Sequence, residues 1–170
     1  MNPTALSIAQ RLSLRPPLRD ALDQIAAVAA VVPLRKPAPG AADVADLPAL
    51  LAAVQAVAPT CQDFERGFPS VGLSIATGVG KTRLMGATIA YLHQQHGVRN
   101  FFVLAPNLTI YQKLIEDFGN PAAPKYVFQG LPEFAIRRPV VVTGDNYTRR
   151  EVSCERSPRL CPAFTRWSCT

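Results

Sequence analysis

The residue types best suited to chemistry are two glycines, a lysine and a threonine in the run Ala76-Thr77-Gly78-Val79-Gly80-Lys81-Thr82. Gly78 and Gly80 would allow backbone N–H groups to close around an anion. A lysine placed directly after such a loop can reach the β- and γ-phosphates of a nucleotide, and the next hydroxyl can ligate Mg²⁺. The run therefore predicts a phosphate-binding loop for a nucleoside triphosphate. The predicted cofactor-binding residues are Thr77, Gly78, Val79, Gly80, Lys81 and Thr82, with Thr82 also the predicted Mg²⁺ ligand.

The loop needs a strand before it and a helix after it. Apolar residues from Val71 to Ala76 predict a buried strand, and residues 83–92 predict a helix that continues to about Gln95 and is stopped by Gly97. Strand, loop and helix in this order are the setting of a P-loop. The general P-loop pattern has a glycine where Ile75 stands, so the alternative is a strand-to-helix turn that merely contains glycines.

Further strands and helices alternate along the chain. Helices are predicted at 18–32, ended by Pro33, after Asp46, and at 108–119 with Asn107 as cap. Strands are predicted at 101–106, where the continuous apolar run indicates a fully buried strand, and at 125–129 and 139–143. The alternation predicts an α/β fold with a parallel sheet, preceded by a helical segment. The predicted domains are residues 1–69 with a proline-rich linker at 33–42, a P-loop lobe at 70–147, and a tail at 148–170.

Net charge is +6, and most of the excess lies in residues 137–170. A basic surface is compatible with a nucleic-acid partner. Residues 148–170 show no period of 2 or 3.6, and two interpretations stay open: a basic nucleic-acid-binding tail, or non-native sequence that is poorly ordered, which we favour. No apolar run approaches a membrane span and no secretory signal is visible, so we expect a cytoplasmic protein without a membrane partner.

The four cysteines show no metal-ligand spacing, and we expect free thiols. His93 and His96 lie three residues apart on a predicted helix. They could chelate a metal, but no third ligand accompanies them, so a solvated helix end is the favoured interpretation.

Three strings together carry a resemblance to a known family: Ala76 to Thr82, Phe101 to Ile115, and Thr143 to Tyr147. Over about residues 11–147 the chain resembles the N-terminal motor lobe of the restriction subunit of type III restriction enzymes and related DEAD/DEAH-box helicases of superfamily 2. The resemblance implies that residues 70–147 form a partial RecA-like motor lobe. It implies ATP and Mg²⁺ as cofactors, bound through Lys81 and Thr82. It also implies a DNA partner and, in the full-length family, a modification methyltransferase subunit.

The same resemblance places Pro106, Asn107 and Thr109 against the DNA backbone. A helix N-terminus with Asn107 and Thr109 offers donors to phosphates without reading sequence. Plain helix capping is an equally good explanation of Asn107.

Two departures from the family pattern limit the expected activity. Such motors often read adenine with a glutamine after an Arg-Pro pair, but Arg15-Pro16-Pro17 is followed by Leu18, which puts adenine selectivity in doubt. The chain also contains no Asp-Glu dipeptide to hold Mg²⁺ and polarise water.

We therefore expect a truncated motor lobe that binds ATP but does not hydrolyse it alone, with no catalytic residue of its own. An unfinished lobe would expose a sheet edge, so we expect marginal stability or association. The alternative is a stand-alone nucleotide- or nucleic-acid-binding module that uses its basic tail. A small kinase-type P-loop enzyme is weaker, because no acceptor site or lid is visible.

Overall fold

A computed structural model describes residues 2–34, 46–143 and 146, together with the backbone of residues 159–164. The helices and strands in chain order are α1 (Pro3–Arg11), α2 (Pro16–Val31), α3 (Leu47–Val57), α4 (Lys81–His96), β1 (Asn100–Ala105), α5 (Leu108–Gly119), α6 (Pro132–Ile136), β2 (Val140–Val141) and β3 (Arg159–Phe164). The chain divides into two compact units, the N-terminal unit Met1–Leu84 and the C-terminal unit Met85–Thr170. The division falls inside α4, and the predicted domain boundaries stay predictions.

The N-terminal unit is built on a pair of helices joined by a tight turn. α1, which sequence patterns did not predict, begins because the Asn2 side chain accepts hydrogen bonds from the Thr4 and Ala5 N–H groups, at 2.9 and 3.4 Å. The turn carries Ser13 in a left-handed conformation, with φ 48°. α2 then begins at Pro16, since proline suits the first helical position, where no N–H is needed.

α3 starts where the sequence predicts it, at a cap in which the Asp46 carboxylate accepts from the Ala49 N–H at 3.2 Å. The predicted strand at Val71–Ala76 is wrong, because the structure has no regular element there. Val71 and Leu73 are 46% and 41% exposed. A strand requires backbone partners on a neighbouring strand, and the N-terminal unit has none among its described residues.

The C-terminal unit contains the three strands, which lie parallel in the order β1-β3-β2. Helix α5 contacts all three of them. Along β1 the burial alternates: Val103 and Ala105 are buried, whereas Phe102 and Leu104 are 69% and 55% exposed. The prediction of a fully buried strand is therefore wrong for β1, although its position is correct.

The segment 125–129 forms turns and not the predicted strand. Its apolar residues are buried by an aromatic cluster centred on Phe128, whose ring stacks on Phe134 with centroids 4.4 Å apart and meets Phe118 and Tyr126 edge-on. An apolar run can be buried by packing of this kind without joining a sheet, which is why its apolar pattern wrongly predicted a strand. Of the strand predicted at 139–143, the structure has the two residues of β2, Val140–Val141.

Within the predicted tail, residues 159–164 form β3, which pairs with both other strands. That part of the tail differs from the irregular segment expected from its composition. The rest of 148–170 lies outside the described residues, as do Gly144, Asp145, Tyr147 and the linker residues 35–42. Among cysteine side chains in the described part, Cys61 is a free thiol.

Candidate nucleotide-binding site

The glycine-rich loop has a backbone that requires its glycines. Gly78 and Gly80 have φ values of 77° and 113°, a region that residues with a Cβ rarely adopt. A Cβ on Gly78 would touch nothing, so the constraint there is conformational and not spatial. The loop therefore takes an unusual path, of the kind that lets successive N–H groups converge on an anion.

Helix α4 starts at once after the loop, at Lys81. The backbone N–H groups at the start of a helix and the positive end of its dipole make this position favourable for a phosphate group. Lys81 is exposed and Thr82 is half-buried. The structure thus places the six predicted cofactor-binding residues on one loop and one helix start, as the sequence does.

The loop is held by contacts with the turn between α1 and α2, which we call the α1–α2 corner (residues 12–18). Nε of Arg83 donates a hydrogen bond to the Leu12 carbonyl oxygen at 2.8 Å. A Cβ built on Gly80 would lie 3.4 Å from Cδ1 of Leu18. Leu12 and Leu18 are buried, at 0% and 2% exposure, so the corner is a firm support for the loop.

The N-terminus of α5, in the C-terminal unit, carries the predicted DNA-contacting residues. The Asn107 side-chain oxygen accepts a hydrogen bond from the Ile110 N–H at 2.9 Å, so Asn107 caps the helix. Pro106, Asn107 and Thr109 are all exposed. The capping role is established by this geometry, and exposure leaves the helix N-terminus accessible to a phosphate.

The described acidic residues do not form a catalytic pair. Asp117 is buried on α5, and a Glu116 oxygen accepts from Asn120 Nδ2 at 2.5 Å. Within the described ranges, the structure contains no group of three His, Cys, Asp or Glu side chains that could hold a metal ion. The role of Thr82 as a Mg²⁺ ligand stays a prediction.

The two histidines of α4 pack within the C-terminal unit and do not form the predicted solvated helix end. His93 Nδ1 lies 2.9 Å from the Val98 carbonyl oxygen, and its ring meets Phe134 edge-on. His96 packs edge-on against Tyr91. Both are half-buried, and their surroundings are those of structural residues.

Sequence patterns missed the contribution of Leu12, Leu18 and Arg83 to the site. The first two are distant from the loop in sequence, and nothing in their type suggests the contact. The one available signal was the position of Arg83, which directly follows the lysine and threonine of the loop.

Comparison with known families decides the identity of the chain. The model of the family described as type III restriction enzyme, res subunit, matches residues 49–152, which is more than half of the chain. The chain belongs to this family. The match includes the phosphate loop, β1 and α5, and it begins after α2. No curated protein and no solved structure matches the chain significantly.

Membership of the type III restriction enzyme res subunit family implies a RecA-like P-loop fold and a helicase-like, ATP-dependent motor function. The three parallel strands fit that fold only partly, since the strand expected before the loop is missing among them. In the described part of the chain, no helix combines the length and apolar character needed to cross a bilayer.

Proposed function

We propose that this res-family chain binds Mg·ATP through residues 77–82 and is the nucleotide-holding segment of a DNA-dependent motor. The observation that carries the proposal is the loop geometry: two glycines in left-handed conformations lead directly into α4, with an exposed lysine at its first position. Backbone N–H groups and the helix dipole favour a phosphate at such a place. Family membership supports ATP as the nucleotide.

In this proposal each residue of the loop has a separate task. The backbone from Thr77 to Gly80 surrounds the phosphates, and the Lys81 ammonium neutralises the β- and γ-phosphate charge. The Thr82 hydroxyl would ligate Mg²⁺, which arrives with the nucleotide and supplies further charge neutralisation. One protein ligand is enough for Mg²⁺ in such sites, because the ion keeps several waters and phosphate oxygens.

Hydrolysis is not part of the proposed activity of these residues. A motor of this kind needs an acidic pair to hold Mg²⁺ and orient the attacking water, and the sequence has no Asp-Glu dipeptide. The adjacent acids Glu116 and Asp117 are unsuitable, because one is engaged with Asn120 and the other is buried. We expect ATP to be bound and released unchanged by the purified chain.

DNA is the second proposed ligand, held by its backbone at the N-terminus of α5. Pro106, Asn107 and Thr109 are exposed there, and the helix dipole favours a phosphate. Such contacts give grip without sequence readout. A modification methyltransferase subunit is the proposed protein partner, on family grounds.

The central test is a fluorescence titration of the full chain with a labelled ATP analogue in the presence of Mg²⁺. Lys81→Ala should weaken binding by about tenfold or more, because a charge-assisted hydrogen bond contributes about 1.5–3 kcal/mol. Thr82→Val should reduce the difference between affinities measured with Mg²⁺ and with EDTA. Lys113→Ala, which removes an exposed lysine from α5, is the matched control and should bind like the wild type.

Two results would contradict the proposal. Equal affinity of wild type and Lys81→Ala would exclude Lys81 from the site. Absence of Mg·ATP binding by a folded wild-type chain would exclude the site altogether.

A further inference from the structure

We infer that Arg83 is a positioning residue for the phosphate loop, which holds the loop on the α1–α2 corner and thereby sets its affinity for the triphosphate. The inference rests on the proposed nucleotide site and adds to it a residue outside the loop and a support outside the family match. Arg83 would act on the nucleotide through the loop and would not contact it.

Arg83 joins the loop to the corner through two hydrogen bonds. Its backbone N–H donates to the Gly80 carbonyl oxygen at 2.9 Å, which fixes it to the last glycine of the loop. Its side-chain Nε donates to the Leu12 carbonyl oxygen at 2.8 Å. A single residue thus connects the phosphate loop to a turn that precedes it by about 70 residues in sequence.

The acceptor on the corner is well suited to a cation. Leu12 is the C-terminal cap of α1, where carbonyl groups lack helical partners and the dipole is negative. The carbonyls of Ile8, Ala9 and Gln10 accept backbone N–H groups of the turn, whereas the Leu12 carbonyl accepts the guanidinium of Arg83. The Leu12 side chain is fully buried, so this acceptor cannot move without disturbing the core.

A second contact acts in the same direction. Gly80 lies against the side chain of Leu18, where an added Cβ would be 3.4 Å from Cδ1. The loop is therefore supported at Gly80 by packing and through Arg83 by a hydrogen bond. Loss of the Arg83 bond would let the first turn of α4 and the loop move away from the corner, and the converging N–H groups would lose their preorganisation.

The corner also supplies a matched control. Nε of Arg19 donates to the Leu14 carbonyl oxygen at 2.7 Å, which is the same kind of bond on the same corner. Arg19 stabilises the turn but makes no bond to the phosphate loop. Removal of Arg19 therefore measures what damage to the corner alone does to binding.

The test compares Mg·ATP affinity of the full-length wild type, Arg83→Ala, Arg83→Gln and Arg19→Ala, each checked for folding by circular dichroism. We expect Arg83→Ala to bind about tenfold more weakly, as for loss of one hydrogen bond to a charged group. Arg83→Gln keeps an N–H donor without the charge and should recover part of the loss. Arg19→Ala should stay within about twofold of the wild type, since it leaves the loop attached.

Hydrogen exchange without nucleotide provides a second readout. The Leu84 N–H donates to the Gly80 carbonyl oxygen at 3.1 Å, and its exchange should speed up in Arg83→Ala but not in Arg19→Ala.

Each contrary result has a distinct meaning. Equal losses of Mg·ATP affinity in Arg83→Ala and Arg19→Ala would mean that Arg83 contributes only to general stability, which overturns the inference. An Arg83→Gln variant that binds as weakly as Arg83→Ala while its Leu84 N–H exchanges as slowly as in the wild type would show that Arg83 acts on the nucleotide directly, which also overturns the inference. If the wild type binds with dependence on Lys81 but Arg83→Ala is unaffected, the inference alone fails. If the wild type does not bind, the proposed function fails and the inference with it.

Discussion

At the scale of single residues, Tyr126 is the most informative side chain outside the site. Its hydroxyl is buried, and the described part of the chain offers it no hydrogen-bond partner. Burial raises the pKa of this hydroxyl above 10.0, and the nearby charge of Arg138 opposes the shift. The native state therefore holds the proton more tightly than the unfolded state does.

The consequence is a loss of stability at alkaline pH. Below pH 10.0 both states carry the proton and Tyr126 contributes no pH dependence. Above pH 10.0 the unfolded state releases its proton first, so the free energy of unfolding falls as pH rises toward the folded-state pKa.

Tyr126→Phe should remove this dependence and leave stability at neutral pH equal or up to about 1 kcal/mol higher, since it deletes an unpartnered polar atom from the core. Urea unfolding at several pH values from neutral to 11 would measure both effects. Tyr111→Phe, which changes a half-buried tyrosine of α5, is the control and should keep the alkaline loss. An unchanged alkaline loss in Tyr126→Phe would contradict the assignment.

At the scale of elements, α5 combines a structural cap with a proposed ligand contact at the same residue. Asn107 accepts the Ile110 N–H, which gives the cap its stabilising effect of about 1 kcal/mol. DNA binding at this end would need the helix N-terminus to stay attractive to phosphates. Capping and DNA contact can be separated, because aspartate caps a helix as well as asparagine does.

Asn107→Asp should therefore preserve stability while weakening DNA binding, as the new negative charge repels phosphates. Fluorescence anisotropy with a short duplex, measured at two salt concentrations, would detect the loss. Gln129→Glu is the charge-matched control, because Gln129 is exposed and lies near the C-terminal end of α5. Its neighbour Val127, two residues earlier, donates a backbone hydrogen bond to the Asp117 carbonyl oxygen at that end of the helix. That end lies about 15 Å from the N-terminus of the helix. Equal DNA affinity of Asn107→Asp and wild type would leave Asn107 as a cap alone.

At the scale of the whole molecule, the strand arrangement of the C-terminal unit depends on β3. β1 pairs with β3 over six residues, and β2 pairs with β3 over two residues. These are the strand pairings that the structure describes. The central strand β3 includes Pro162, which lies opposite Val103. Proline has no backbone N–H to donate to a neighbouring strand. Proline is unusual in a central strand, and it leaves this ladder with one donor fewer.

Truncation after Tyr147 should therefore lower the stability of the C-terminal unit, because β1 and β2 would lose their described partner. A chain truncated after Phe164 keeps β3, and its unfolding temperature should be close to that of the full chain. Thermal unfolding followed by circular dichroism would compare the two. If both truncated chains unfold at the same temperature as the full chain, β3 does not contribute to the stability of the unit.

The same dependence changes how a role of residues 148–170 in DNA binding should be tested. Deleting the whole tail would remove β3 together with its positive charge. Replacing arginines outside β3, such as Arg149 and Arg150, changes the charge and leaves the strand in place.

The sequence alone determined the features that depend on local chemistry. Glycine conformation, helix caps at Asp46 and Asn107, and helix stops at Pro33 and Gly97 act within a few residues, so the phosphate loop and α2 to α5 were predictable. Only the tertiary structure decided which apolar segments became strands. Val71–Ala76 has the composition of a strand but no described partner, whereas Arg159–Phe164 lacks the pattern and pairs on both sides.

For residues 77–82, the sequence specified a loop that can surround a phosphate, because the necessary groups are adjacent in the chain. It could not specify what supports that loop. Arg83 finds its acceptor at Leu12 and Gly80 finds its neighbour at Leu18 only after the helices pack. Contacts between residues so distant in sequence are set by the burial of α1 and α2, which no local pattern encodes.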